Sequence, residues 1–305
     1  MGITAWEVAE TVAKKDKKRE ARGSRDPPTL RASPVPGERA LAFSPPGGPR
    51  ALVVGDLHFG IESEFAFGGV KIPSAAAAMV GRLKKLQAQT RAARLVIAGD
   101  LKHSVQTITR QEEEEVPASL AELADAFGEV VVVPGNHDGN AQRLLPPERN
   151  EVHLAPVGGL LLRGGLLVIH GHAWPDRALA AKARGLALAH NHTAVALEDA
   201  MGRVSKEPCW ARGRVNPEAW ADATGASNYP EVILMPPFNE LCTGAALNIA
   251  GVRPIGPLLR EGCVDLPRAE VFLLDGVMLG TVGALTLTLE GDALRRATRG
   301  ASEDQ

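Results

Sequence analysis

The sequence predicts one α/β sandwich, a parallel sheet with a second, mixed sheet packed against it, and three observations carry that expectation. Short apolar runs recur through the first half, and each ends in glycine followed by Asp or Asn. Helix-length stretches separate those runs. Beyond residue 160 the spacing tightens into short apolar pieces broken by glycine and proline, the pattern of a second sheet with little helix between its strands.

Residues 1–37 are polar and carry the run Lys14-Lys15-Asp16-Lys17-Lys18-Arg19-Glu20. They are expected to form an N-terminal helix and a flexible lead-in, the basic run being a solvated helix face or a phosphate contact. The first apolar run, residues 51–54, ends in Gly55-Asp56. A helix is expected over residues 74–91, then a second run at 94–98 ending in Gly99-Asp100. Another helix over residues 117–127 leads to a third run at 129–133, which opens into Pro134-Gly135-Asn136-His137-Asp138. Apolar strands alternating with helices run parallel and are buried on both faces. Ligands bind beyond the carboxyl ends of such strands.

The second half begins with strands at 160–163 and 166–169 around Gly164-Gly165. A helix at 176–184 and an apolar run at 185–189 follow. Strand-like pieces then appear at 194–197, 231–235, 270–274, 277–279 and 284–289.

Composition narrows the function. The chain has 305 residues, 45% of them hydrophobic, which is enough to bury a sizeable core. A net charge of −2 excludes a broadly basic nucleic-acid binder, and 4% aromatics weakens any base-stacking platform. Cys209, Cys242 and Cys263 are too few and too scattered for a disulfide framework or a four-cysteine zinc site. They are expected as buried fillers in a protein of a reducing compartment. The most apolar stretch, residues 269–287, is interrupted by Glu270, Asp275 and glycines, so no membrane span is expected. The N-terminus has no secretory apolar core, and Trp6 breaks a myristoylation motif. The expected location is cytoplasmic.

The chemistry lies in five short motifs: Asp56-Leu57-His58, Gly99-Asp100, Gly135-Asn136-His137-Asp138, His170-Gly171-His172 and His190-Asn191-His192. Any one of them alone reads as a turn after a strand. Each follows a strand-like run, however, so loops at one sheet edge would bring all of them together. Carboxylates, an amide oxygen and several imidazoles form a ligand set suited to manganese, iron or zinc. Two divalent ions held close together can grip a phosphate between them.

The order of these motifs resembles the calcineurin-like metallophosphoesterase superfamily. Longer wording resembles the archaeal SbcD-related phosphoesterases: Asp56-Leu-His-Phe-Gly-Ile-Glu62, Gly99-Asp-Leu-Lys-His103, Gly135-Asn-His-Asp-Gly139, Pro237-Phe-Asn239 and Asp275-Gly-Val-Met-Leu-Gly280. The likeness spans residues 38–290.

It implies a four-layer αββα sandwich, two mixed β-sheets flanked by helices. It implies that Asp56, His58 and His192 hold one metal ion, that Asn136, His170 and His190 hold another, and that Asp100 bridges them. By the same resemblance His137 faces the substrate and protonates the leaving oxygen, and Asp138 orients His137. The ions are expected to be manganese first, with iron, zinc or nickel as alternatives. Ala189 stands where the last motif usually opens with glycine, and His103 stands where many members carry an acid.

His172, His103 and Asn239 are candidates for supporting a ligand or touching substrate. The blander readings are that His172 simply packs, that Lys102 is a surface lysine and that His153 is structural. The resemblance implies hydrolysis of phosphodiester bonds, by a nuclease in DNA repair or processing. The alternatives are a small-molecule nucleotide phosphodiesterase or phosphatase, and a non-catalytic scaffold. Residues 38–305 are expected as a single domain with no separate capping domain, and the expected partner is a phosphoester, DNA or a nucleotide.

Overall fold

Side-chain alternation along the strands sets the layers. A computed structural model describes residues 30–291 and residue 294 of the chain. The expected N-terminal helix lies outside them. Strands β1 (Ala32–Pro34), β2 (Leu41–Phe43), β3 (Ala51–Val54), β4 (Arg94–Ala98), β5 (Val130–Val133) and β6 (Val152–Leu154) form one sheet in that order. From β3 to β6 the pairing is parallel, and β1 and β2 extend the sheet antiparallel. The sheet therefore begins within residues expected as lead-in.

Successive residues of a strand face opposite ways. Leu52, Val54, Leu95, Ile97, Val130 and Val132 meet the helices α2 (Ala76–Thr90) and α3 (Arg110–Phe127). Val53, Val96, Ala98, Val131 and Val133 meet the second sheet. A short helix α1 (Glu62–Phe67) follows the first motif.

Helix α2 forms where Met79, Val80, Leu83 and Leu86 recur on one face and are buried together. Helix α3 was expected to open at Pro117, but that proline lies inside it. The true start is a capping box: Thr109 accepts from the backbone of Glu112, and Glu112 accepts from the backbone of Thr109. Val116, Leu120, Leu123 and Phe127 then form its buried stripe. Full burial of each such side chain contributes about 1.5–3 kcal/mol.

The second sheet runs from β7 (Leu160–Leu162) through β8 (Leu166–Ile169), β9 (Gly185–Leu188), β12 (Glu231–Leu234), β11 (Val204–Arg214) and β10 (Thr193–Glu198) to β13 (Ala245–Ala246). Strands β14 (Glu270–Leu273) and β15 (Met278–Thr281) attach beside β11. Val168, Ala187, Ile233, Trp210 and Phe272 face the first sheet. Ile169, Leu186, Leu188 and Leu234 face outward onto Ala180, Trp220 and Leu258. Those three residues sit on the short helices α4 (Arg177–Ala180), α5 (Pro217–Thr224) and α6 (Pro257–Arg260). The result is helix, sheet, sheet, helix, the four-layer αββα arrangement.

Three readings need correction. Residues 284–289 form no strand and contribute only a bridge between Ile249 and Leu287. The helix expected at 176–184 is a single turn, Arg177–Ala180, capped by Asp176. Strand β11 was not anticipated, because Lys206, Glu207 and Pro208 interrupt its apolar pattern. No helix among the described residues is long and apolar enough to cross a membrane.

Candidate metal centre

The loops after β3 and β4 continue the parallel ladder past the strand ends. Asp56 donates its N–H to the Gly99 carbonyl, His58 to that of Asp100 and Phe59 to that of Leu101. Residues at strand ends must then turn sharply to aim their side chains across the sheet edge. Asp56, His58, Asp100, His190 and His192 all have positive φ, between 42° and 62°. They are five of the seven non-glycine residues in that region among those described, so the strain is concentrated at this edge. Left-handed backbone costs a non-glycine residue roughly 1–2 kcal/mol. Such strain persists only where surrounding structure enforces it, typically at functional sites.

The side chains converge. One oxygen or nitrogen each from Asp56, His58, Asp100 and His192 lie within 4.8 Å of one another, and so do those of Asp100, His170 and His190. Asp100 belongs to both groups. Its Oδ2 lies 3.6 Å from His58 Nε2 and 3.3 Å from His170 Nε2. Asn136 Oδ1 stands 3.1 Å from His170 Nε2, which places it in the second group. Two cradles with a shared carboxylate suit a pair of divalent cations.

Electrostatics favours that fit. Burial pushes the Asp56 carboxyl up to about 6, and its Oδ2 has no hydrogen-bond partner among the described residues. For Asp100 burial acts the same way, but His170 and His58 outweigh it and hold its carboxyl well below the ordinary range. Burial also opposes charge on His170, yet Asp100, Asp56 and the Ala98 carbonyl raise its imidazole to about 9. Two further ligand imidazoles shed their protons readily. Burial foremost lowers His58 well below its ordinary value and lowers His190 to about 3. The neutral imidazoles of His58 and His190 and the orphaned buried oxygen of Asp56 are the state a bound cation requires, while His170 must give up the proton that Asp100 and Asp56 stabilise. The ring nitrogen of His170 facing Ala98 donates to that carbonyl at 3.0 Å, which turns Nε2 toward Asp100.

Glycines allow the close approach. A Cβ on Gly135 would overlap the Asp100 carboxylate, and one on Gly99, at φ +81°, would overlap the His170 ring.

His137 lies beside the cradles, its ring 4.8 Å from that of His58. Its backbone N–H donates to Asp100 Oδ1 at 3.0 Å, and its Nδ1 donates to the carbonyl of His103. The expectation that Asp138 orients the His137 ring therefore changes. The Asp138 carboxylate instead accepts from the backbone N–H groups of Gly135, Leu101 and Lys102, tying the two loops together. Burial and the nearby Asp100 push its carboxyl up to about 6.

The remaining candidates separate. His103 is brought in: its Nδ1 is 3.2 Å from His58 Nδ1, and its Nε2 is 2.8 Å from Glu64. His172 lies next to the His170 ring at 5.1 Å but joins neither cradle, and burial lowers it to about 4. Asn239 is buried and donates to the Leu57 carbonyl at 2.8 Å, bracing the first motif from behind. Lys102 is fully buried, not a surface lysine, and its ammonium donates to the Ser104 carbonyl. His153 lies on β6 with its Nε2 3.8 Å from Glu129.

Two acids were missed by sequence reasoning. Buried Glu112 accepts from the N–H groups of His103 and Ser104, and its only sequence signal was the Thr109-x-x-Glu112 spacing. Glu64 left no signal. Cys242 is half-buried rather than a core filler, with its sulfur grouped with His58 and His192.

A family model described as calcineurin-like phosphoesterase matches residues 49–224. Among solved structures, the chain is similar to the nuclease MPE of Pseudomonas putida at 19% identity, covering 80% of this chain and 95% of that one with a TM-score of 0.46. It is also similar to the phosphoesterase Yfce from E. coli at 23% identity, covering 49% of this chain and 73% of that one with a TM-score of 0.30. No curated protein matches the chain.

Proposed function

This chain belongs to the calcineurin-like phosphoesterase family, and on that premise we propose that it hydrolyses phosphodiester bonds with two divalent ions. The observation that carries the proposal is the pair of ligand groups sharing Asp100 at one sheet edge. Asp56, His58 and His192 hold one ion, Asn136, His170 and His190 the other, and Asp100 both. When bound, the ions supply Lewis-acid charge to the phosphoryl group and lower the pKa of water. Manganese is the first candidate, followed by iron, zinc and nickel.

The chain's own groups do the rest. With Nδ1 committed to the His103 carbonyl, Nε2 of His137 is the nitrogen that can carry a proton to the leaving oxygen. The hydrogen bond from its backbone to Asp100 fixes that ring relative to the cradles. Asp138 keeps the Asp100 and Asn136 loops in register through its three backbone contacts.

The wording shared with SbcD-related phosphoesterases points the substrate toward DNA. Net charge −2 and 4% aromatics favour a second reading, a nucleotide-sized phosphodiester. Hydrolysis of an aryl phosphodiester with added manganese tests the reaction. Cleavage of duplex and single-stranded DNA across a salt series, set against turnover of cyclic nucleotides, tests the substrate. Inactivity on all of them with every candidate metal overturns the proposal.

A further inference from the structure

The loop at residues 237–242 is built against the first motif with more contacts than a connector needs. Phe238 donates its N–H to the Gly55 carbonyl at 2.8 Å and Asn239 to that of Asp56 at 3.3 Å. The Asn239 side chain reaches the Leu57 carbonyl and also accepts from Leu241. Arg39 donates to the carbonyls of Pro237 and Asn239, and Arg82 lies over the Phe238 ring while pairing with Glu38 and Glu240. The turn that follows, closed by the Cys242 N–H on the Asn239 carbonyl, delivers a thiol to the metal centre. The sulfur of Cys242 and one ring nitrogen each of His58 and His192 lie within 4.8 Å of one another. Asp56, from the same cradle, has a buried Oδ2 that no hydrogen bond satisfies among the described residues.

We propose that Cys242 is a further ligand of the ion held by Asp56, His58 and His192. The inference rests on the two-metal reading and deepens it. The four-residue group of Asp56, His58, Asp100 and His192 does not include Cys242, so the sulfur approaches from the histidine side of the cradle. On ligation the thiol gives its proton to solvent and a metal–sulfur bond forms. A thiolate makes this cradle softer than its partner, which has only nitrogen and oxygen donors. Soft donors select zinc, iron or cobalt over manganese, so the two positions would take different metals. The other two cysteines are fully buried in the outer core of the second sheet, so a sulfur signal at the centre belongs to Cys242.

The test uses the full chain, stripped with chelator and reloaded with cobalt(II) alone. The intact protein is expected to show visible ligand-field bands together with a near-ultraviolet thiolate-to-cobalt charge-transfer band. Cys242→Ser is expected to keep the visible bands and lose the charge-transfer band. Visible bands without charge transfer in the intact chain would overturn the ligand role and leave the metal centre standing. No cobalt bands at all would overturn both. Should Cys242→Ser fail to fold, metal protection of the intact protein's thiol from alkylation decides instead: protection supports ligation, and an unchanged labelling rate refutes it.

Discussion

His137 is gripped at two points, its N–H by Asp100 and its ring by the His103 carbonyl, and neither grip uses a metal ligand atom on His137 itself. Its loss should therefore separate chemistry from metal binding. His137→Ala is expected to lower turnover by about 10²- to 10⁴-fold, the usual worth of a proton donor, while elemental analysis finds the metal content unchanged. Gly135→Ala should act through the metal instead, since its new methyl collides with the Asp100 carboxylate. Metal content is expected to fall and activity with it; a variant that retains both would show that Asp100 has room to move. At this scale the sequence was informative wherever a role depends on a contiguous motif. Asp56, His58, Asp100, Asn136, His170, His190 and His192 each follow a strand end, so the topology alone gathers them. Glu64 and Cys242 were illegible, because each meets a histidine of the centre from a segment far away in sequence, and nothing in the wording of the second motif tells a buried Lys102 from a surface one.

Between α3 and the Asp100 loop, one side chain serves two purposes. Glu112 closes the capping box with Thr109 and also receives the N–H groups of His103 and Ser104. Removing the cap and removing that acid are therefore different experiments. Thr109→Ala is expected to cost about 0.5–2 kcal/mol in denaturant unfolding, as cap losses do. Glu112→Ala should cost more, because it strands the partly buried N–H donors of His103 and Ser104 at up to about 1–3 kcal/mol each, and it should also lower turnover by loosening the carbonyl that holds His137. Equal stability losses without any kinetic effect of Glu112→Ala would refute the link. The helices α2 and α3 and the strands β3, β4 and β5 were legible from apolar period and glycine punctuation. Strand β11 was hidden by its charged outward residues, and residues 284–289 were over-read because an apolar run does not reveal whether a partner strand exists. Pro117 misled as a start signal, since the box eight residues earlier had already begun the helix.

The sandwich as a whole fixes a sheet edge on which strained, buried ligands can persist. Its central interface joins Val53, Val96 and Val131 of one sheet to Val168, Ala187 and Ile233 of the other. A cavity well away from the edge, as in Leu120→Ala under α3, should cost about 2–5 kcal/mol of stability and leave the metal affinity of the folded protein unchanged. Ions held only by the assembled cradles of the folded chain are expected to raise the unfolding free energy by about 2.7 kcal/mol for each site at a hundredfold excess over its Kd. Chelator should remove that increment. The most direct test of the two-ion centre is metal stoichiometry of the intact chain against Asp100→Asn, measured by elemental analysis beside aryl phosphodiester turnover. The structure predicts two ions per chain in the intact protein, and loss of both metal and turnover when the shared carboxylate is neutralised. An intact chain that takes up no metal, or an Asp100→Asn variant that keeps two ions and full turnover, would contradict it.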